Sequence, residues 1–282
     1  MSVASASLLL ILLIILAPMH TLAVDPIAFH SRYAPLQTLT SITNDNITTA
    51  SAPHSAEIII AAEDNWPPFS DEKGKGLSAA IVSAAYALTG YRIRTTPVPY
   101  ARALYYTERN KTNACWNVTR QQSTEAKYLF HQIPLFKASS SFYYTKEAKP
   151  YKSLLEIPDK AVVGVILGYE YGDLFETEKR RFQLIEVSSH EQLLALLHDD
   201  KLDVAIFFDD VLQYYLKRLK RTDLKIVRGE LNYVSEIFVA FNKEDPLNQQ
   251  RAAALDQGLR LLHETGDYQR LLQQFGINST AK

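Results

Sequence analysis

One cysteine, Cys115, occurs in the 282 residues of this chain. A lone thiol closes no internal disulfide, so the fold is held by packing and not by cross-links. An excess of charge of either sign is missing too. Thirty Lys and Arg stand against 31 Asp and Glu, a formal net charge of −1, and the two signs are interspersed. Such a chain has no field that would gather nucleic acid or an anionic membrane surface. The seven His are scattered with no metal-ligand spacing, which argues against zinc. No Gly-x-Ser-x-Gly, Walker loop or His-Glu-x-x-His is present, so the familiar nucleophile, phosphate and metalloprotease signatures are missing. The stretch from Gly74 to Ala79 matches a dinucleotide fingerprint only loosely, since it lies beyond two prolines and too far from its strand. The basic run Lys217 to Arg221 reads as the solvated end of a helix. Beyond the first two dozen residues no apolar run is long enough to span a bilayer.

At the N-terminus the pattern is different. Residues 1–23 read as a secretory signal, with an apolar run from Leu8 to Ala17 and small residues up to Ala23. The segment before that run has no Lys or Arg, which leaves an uncleaved anchor open. Residues 24–56, rich in Ser, Thr, Ala and Asn with three prolines, read as a flexible leader. Roughly 225 residues remain, enough for two small lobes or one larger domain.

That part opens on Glu57 to Phe69. Ile58, Ile59 and Ile60 predict a buried strand, and Trp66-Pro67-Pro68-Phe69 breaks it. Two prolines stiffen the backbone just past the strand's carboxyl end, where open α/β sheets bind ligands. A helix from Leu77 to Gly90, a strand from Arg92 to Pro99, a helix from Ala101 to Arg109 and a strand from Ala114 to Thr119 follow in β-α-β-α-β order. A strand from Ser140 to Lys146 leaves this series. The second series has strands at 161–167, 183–187 and 204–208, a helix from Gly168 to about Arg180, and helices after Ser189 and from Val211. Strands at Leu224–Val227 and Ser235–Asn242, then two helices divided at Gly266, close the chain. The class is α/β.

In motif order, residues 57–276 resemble the bacterial extracellular solute-binding proteins of family 3. The resemblance is carried by Trp66-Pro67-Pro68-Phe69, the Val98–Leu104 segment, Leu202-Asp203-Val204-Ala205-Ile206 followed by Asp209, and the closing helices around Gly266-Asp267-Tyr268. It implies a two-lobed periplasmic binding protein type II fold with two crossover strands and a discontinuous first lobe. Lobe 1 would take 57–143 and 236–276, lobe 2 144–235, with hinges near Tyr144 and Tyr233. It also implies a periplasmic protein, its signal cleaved near Ala23, that presents a small-molecule ligand to an inner-membrane permease of the ABC type or to a receptor. A monomer with no cofactor, no metal and no bond chemistry is expected. An enzyme on the same scaffold and a stand-alone sensory protein remain open.

Among the ligand contacts that follow, Glu63 sits where the family often has an acidic or polar residue, and Trp66 and Phe69 either wall the cleft or plug the core. Tyr100 and Arg102 either reach the ligand or begin a helix. Trp116 and Asn117 stand at a strand end. Arg120 either clamps a carboxylate or makes a surface ion pair. Tyr169 belongs at the cleft rim by position, and Asp209 either holds an ammonium or caps a helix. Two departures from the family pattern stand out. The Arg expected downstream of Thr119 is missing, and Glu170 lies at a point where free N–H groups would receive a carboxylate. Both turn the expectation from an α-amino acid towards a cationic or aromatic-bearing solute.

Overall fold

A computed structural model describes residues 57–145, 150–220, 224 and 226–277; the expected signal and leader lie outside the described residues. The first series is β1 (Glu57–Glu63), α1 (Leu77–Leu88), β2 (Arg92–Val98), α2 (Tyr100–Glu108) and β3 (Ala114–Thr119). β1 runs parallel to both β2 and β3. Ile58, Ile60, Ala61 and Ala62 of β1 are all buried, as a strand covered on both faces requires. Two short elements that the sequence pattern does not announce follow, α3 (Gln122–Glu125) and β4 (Tyr128–Phe130), and then β5 (Phe136–Thr145).

The second series contains β6 (Val162–Ile166), α4 (Asp173–Glu178), β7 (Gln183–Val187), α5 (His190–His198), β8 (Val204–Phe208) and α6 (Asp209–Leu219). The Ser189 hydroxyl accepts the Gln192 N–H at 3.1 Å and so caps α5. α4 begins later than its sequence suggests. Tyr169, Glu170 and Tyr171 precede it as a loop, which frees their side chains to reach across the molecule. The chain ends in β9 (Ile226–Asn242), α7 (Asn248–Thr265) and α8 (Asp267–Gln274).

All the described strands join one sheet, ordered β2-β1-β3-β9-β5-β8-β6-β7, with β4 beside β9. β5 and β9 are antiparallel partners along most of their length. Through Thr119, Val118 and Ala114, β3 holds the C-terminal part of β9, whereas β8 holds Ser140–Tyr143 of β5. Two adjacent strands therefore pass from one α/β half to the other, and α7 and α8 return to pack on α1 in the first. The first lobe is discontinuous. The two strands expected at 224–227 and 235–242 belong to a single strand of 17 residues. Its middle, with Gly229 and Asn232, has little strand propensity, but a Cβ at Gly229 would stand 2.5 Å from the Tyr144 ring. Backbone and aromatic ring meet there, and pairing with β5 carries the strand through. The pairing shifts register between Ser140 and Tyr143.

An aromatic stack spans the seam. Trp66 lies 4.5 Å from Phe69 and 5.0 Å from Phe208, and Phe69 stacks on Phe136 at 4.6 Å between centroids. Elsewhere α1 and α7 meet at backbone distance, since a Cβ at Gly258 would fall 2.1 Å from the Ala85 carbonyl oxygen. Gly258→Ala is expected to cost about 1–3 kcal/mol by forcing the helices apart. A thermal melt unchanged within a degree would contradict that contact.

Candidate functional site

β1 and β3 end side by side, and each delivers a polar group to the seam. Glu63 is the last residue of β1 and is only 2 % exposed. Asn117 lies where the β3–β9 register breaks, with φ of 68°. Asn tolerates that left-handed conformation better than most residues, and the twist brings its side chain to Glu63. Its amide Nδ2 donates to Glu63 Oε2 at 2.9 Å, and its Oδ1 accepts from the Ser78 hydroxyl. Ser70 donates to the Glu63 carbonyl and accepts the Trp116 indole N–H at 3.2 Å. The Trp-Pro-Pro-Phe turn is thereby tied to the strand that carries the acid.

From the other lobe, the loop before α4 closes over this group. The Tyr169 hydroxyl donates to Glu63 Oε1, and Glu170 Oε2 accepts from the Tyr100 hydroxyl at 2.7 Å and the Thr119 N–H at 3.4 Å. Further links cross the seam beside them. The Gly172 N–H donates to Gln121, the Gln122 N–H to Asp173, and the Tyr215 hydroxyl to Asn65. The structure is a closed one. A pocket of about 10 Å³ remains, lined by Glu63, Trp66, Tyr100 and Asn117 from one side and by Tyr169, Glu170 and Phe208 from the other. That is room for about one water molecule. A larger groove of about 350 Å³ lies outside it, and Tyr169 and Glu170 line both. These two side chains are the partition.

Burial dominates the electrostatics. It pushes the Glu63 carboxyl up to about 8, against the hydrogen bonds from Tyr169 and Asn117 that pull it down, with Glu170 and Asp64 adding repulsion. It pushes Glu170 to about 8 as well, opposed by Tyr100 and the Thr119 N–H. His190, whose Nε2 is 3.4 Å from the Tyr169 hydroxyl, is pushed down to about 4 by burial and is neutral at pH 7. Among the described residues no group of three or more His, Cys, Asp or Glu could hold a metal ion.

Of the residues singled out from sequence, Glu63, Trp66, Tyr100, Asn117 and Tyr169 line this pocket together. The others stand elsewhere. Phe69 is fully buried behind Trp66, and Trp116 is buried under the turn it anchors. Arg102 is exposed and acts on Asp64. Arg120 donates to Glu125 and lies over the Phe238 ring. Asp209 opens α6 and accepts from Tyr143 at 2.8 Å, Ser141 at 3.1 Å and Arg228 at 2.8 Å, so its charge is already matched. Sequence reasoning missed Thr119, which contributes a backbone N–H, and Phe208. It noticed Glu170 only as a group that would repel an anion.

Two α/β lobes, a pair of crossover strands and a polar pocket at their seam define the periplasmic binding protein type II fold. The chain belongs to the bacterial extracellular solute-binding proteins, family 3, whose model matches residues 58–278. No curated protein matches it by sequence. Among solved structures it is similar to a histidine kinase sensor domain with similarity to periplasmic binding proteins, at 15 % identity and a TM-score of 0.66, covering 78 % of this chain and 95 % of that one. An ancestral arginine-binding protein bound to arginine shares 17 % identity at a TM-score of 0.65, covering 79 % and 99 %. An amino acid ABC transporter substrate-binding protein from Streptococcus pneumoniae, bound to L-arginine, shares 17 % at 0.62, covering 78 % and 94 %. Among the described residues no helix is long and apolar enough to cross a membrane. A ligand-binding role follows from the family.

Proposed function

We propose that the protein captures a small polar or amino-acid-like solute between its lobes and presents it, by hinge closure, to an ABC-type importer of the inner membrane. The observation that carries this reading is the seam itself: Glu63 and Glu170 are buried carboxylates, each held by a hydroxyl from the opposite lobe. Contacts that exist only in the closed arrangement are what allows a ligand to drive closure. The lobes divide at about 57–143 with 236–276 and at 144–235, and the hinge falls where β5 and β9 shift register. The protein works in the periplasm as a monomer, freed from its signal near Ala23, and makes or breaks no bond. Proteins of similar fold bound to amino acids support the ligand class. The histidine kinase sensor domain supports a second reading, in which a receptor reads the closed form.

The test is a melting-temperature screen at pH 8 with amino acids and amines. A true ligand at 100 times its Kd stabilises by about 2.7 kcal/mol, which for a chain of this size is a rise of roughly 5–10 °C. Recovery of the ligand unchanged after denaturation separates binding from turnover. A flat screen, repeated with a small-molecule extract, would contradict the reading.

A further inference from the structure

We propose that the ligand this cleft is built for is a small organic cation without a carboxylate, such as an alkyl amine, diamine or guanidine, held between Glu63 and Glu170 inside the aromatic wall of Trp66, Tyr100, Tyr169 and Phe208. This rests on the reading of the protein as a solute-binding clamp and narrows it.

Glu63 and Glu170 both line the inner pocket, and among the described residues no Lys or Arg lines it with them. The residues facing Glu63 are Tyr169, Asn117, Glu170 and Asp64; those facing Glu170 are Tyr100, the Thr119 N–H and Glu176. His190 beside Tyr169 is neutral. Every charged group in that set is an acid. The outer groove repeats the bias, with Glu108, Glu170, Glu176 and Glu186 against Lys127 and Lys179, and Lys179 is already bonded to Glu176 at 2.7 Å. Of the arginines near candidate positions, Arg120 and Arg228 are engaged with Glu125 and Asp209, and Arg102 is exposed and acts on Asp64.

Aromatic rings complete the fit. Tyr100 and Tyr169 meet edge to face at 5.1 Å, and Phe208 lies 6.0 Å from Tyr169. Ring faces around buried carboxylates are the surroundings that attract ammonium and guanidinium groups. Tyr169 and Glu170 line both the inner pocket and the outer groove, so moving these two side chains is what would join them. The groove, at about 350 Å³, is in the size range of small-molecule sites.

One feature points the other way and sets the test. Glu170 rests on the Thr119 N–H and the Tyr100 hydroxyl, donors that a ligand carboxylate could take over, and the Trp66 indole N–H has no acceptor among the described residues. A ligand carboxylate seated there would leave Glu170 displaced beside it, with Glu63 near and, among the described residues, no cation lining the pocket to balance the three. Like charges brought together in a dry site cost several kcal/mol, roughly a hundredfold or more in affinity. The carboxylate-free ligand avoids this.

Matched pairs isolate that difference. Pentane-1,5-diamine is L-lysine without its carboxylate, and agmatine is L-arginine without its carboxylate. Calorimetric titration of the full protein is expected to find at least one decarboxylated member bound at least tenfold more tightly than its amino acid. Its affinity is expected to rise about tenfold or more from pH 6 to pH 8, as binding expels protons from the carboxylates. Glu170→Gln and Glu63→Gln are each expected to weaken it at least tenfold, with an unchanged circular dichroism spectrum. L-lysine or L-arginine binding as tightly as its partner, or neither amine binding at all, would overturn the cation assignment. The clamp reading survives the first of those results, and also the second if another solute raises the melting temperature; it fails only if the broad screen is flat too.

Discussion

The protein with Glu63 and Glu170 both replaced by Gln is expected to melt several degrees above the parent at pH 9 and to match it at pH 5. Both carboxyls are raised from an ordinary 4.5 to about 8 in the closed arrangement. The sign follows from proton binding. Between those two values the closed form holds protons that an open or unfolded chain releases. The stability this linkage contributes is therefore complete below about pH 4.5 and lost as pH rises through about 8. Each pKa unit corresponds to about 1.4 kcal/mol, so the two groups together could amount to several kcal/mol. Because Glu170 itself raises Glu63, the two titrate as a coupled pair and do not simply add. Opening the cleft rehydrates both acids, and that limits the loss to the free energy of closure. The double variant cannot charge and keeps the hydrogen bonds of Tyr169 and Tyr100, so its melting profile should be flatter from pH 5 to 9. A variant that melts lower than the parent at pH 9 would contradict buried, unbalanced carboxylates.

Trp66→Ala should give the largest loss from a single change. The indole is 2 % exposed and touches Phe69, Phe136 and Phe208. Truncating a buried aromatic of this kind costs about 3–5 kcal/mol, a fall of roughly 10 °C in melting temperature for a chain of this length. Phe208 comes from the second lobe, so the change also removes the ring on which that lobe rests. Ligand affinity should fall with stability. Trp66→Phe keeps an aromatic partner for the stack and is expected to lose less than half as much. A Trp66→Ala protein that melts within about 2 °C of the parent would show that the rings do not join the lobes.

How far the sequence anticipates this site depends on which residues carry the signal locally. β1 and β8 are apolar on both faces along most of their length, and their β-branched or aromatic runs mark them without help from the rest of the chain. The turn at Trp66-Pro67-Pro68-Phe69 and the Ser189 cap are local chemistry too. β9 is different, because its middle is a strand only through pairing with β5 and the Tyr144 ring over Gly229. The loop before α4 is different as well. Tyr169 and Glu170 read as the start of a helix, but their hydroxyl and carboxylate bond to residues about 106 and 51–70 positions away. No window of sequence contains those partners. Arg120 shows the reverse case: a cation at a promising strand end is drawn aside by Glu125 five residues on. Thr119 acts through its backbone, so its side chain gave no cue.

Hinge closure itself is most directly tested by a distance measured between the lobes. Exposed Lys73 and Lys201 can be changed to Cys and spin-labelled, because the native Cys115 is buried. At pH 9 without added solute the interspin distance is expected to be long and broad. It should shorten and sharpen on adding a solute that raises the melting temperature, and also on lowering the pH to 5. One distance distribution, unmoved by either the solute or pH, would contradict a clamp that closes through its buried acids.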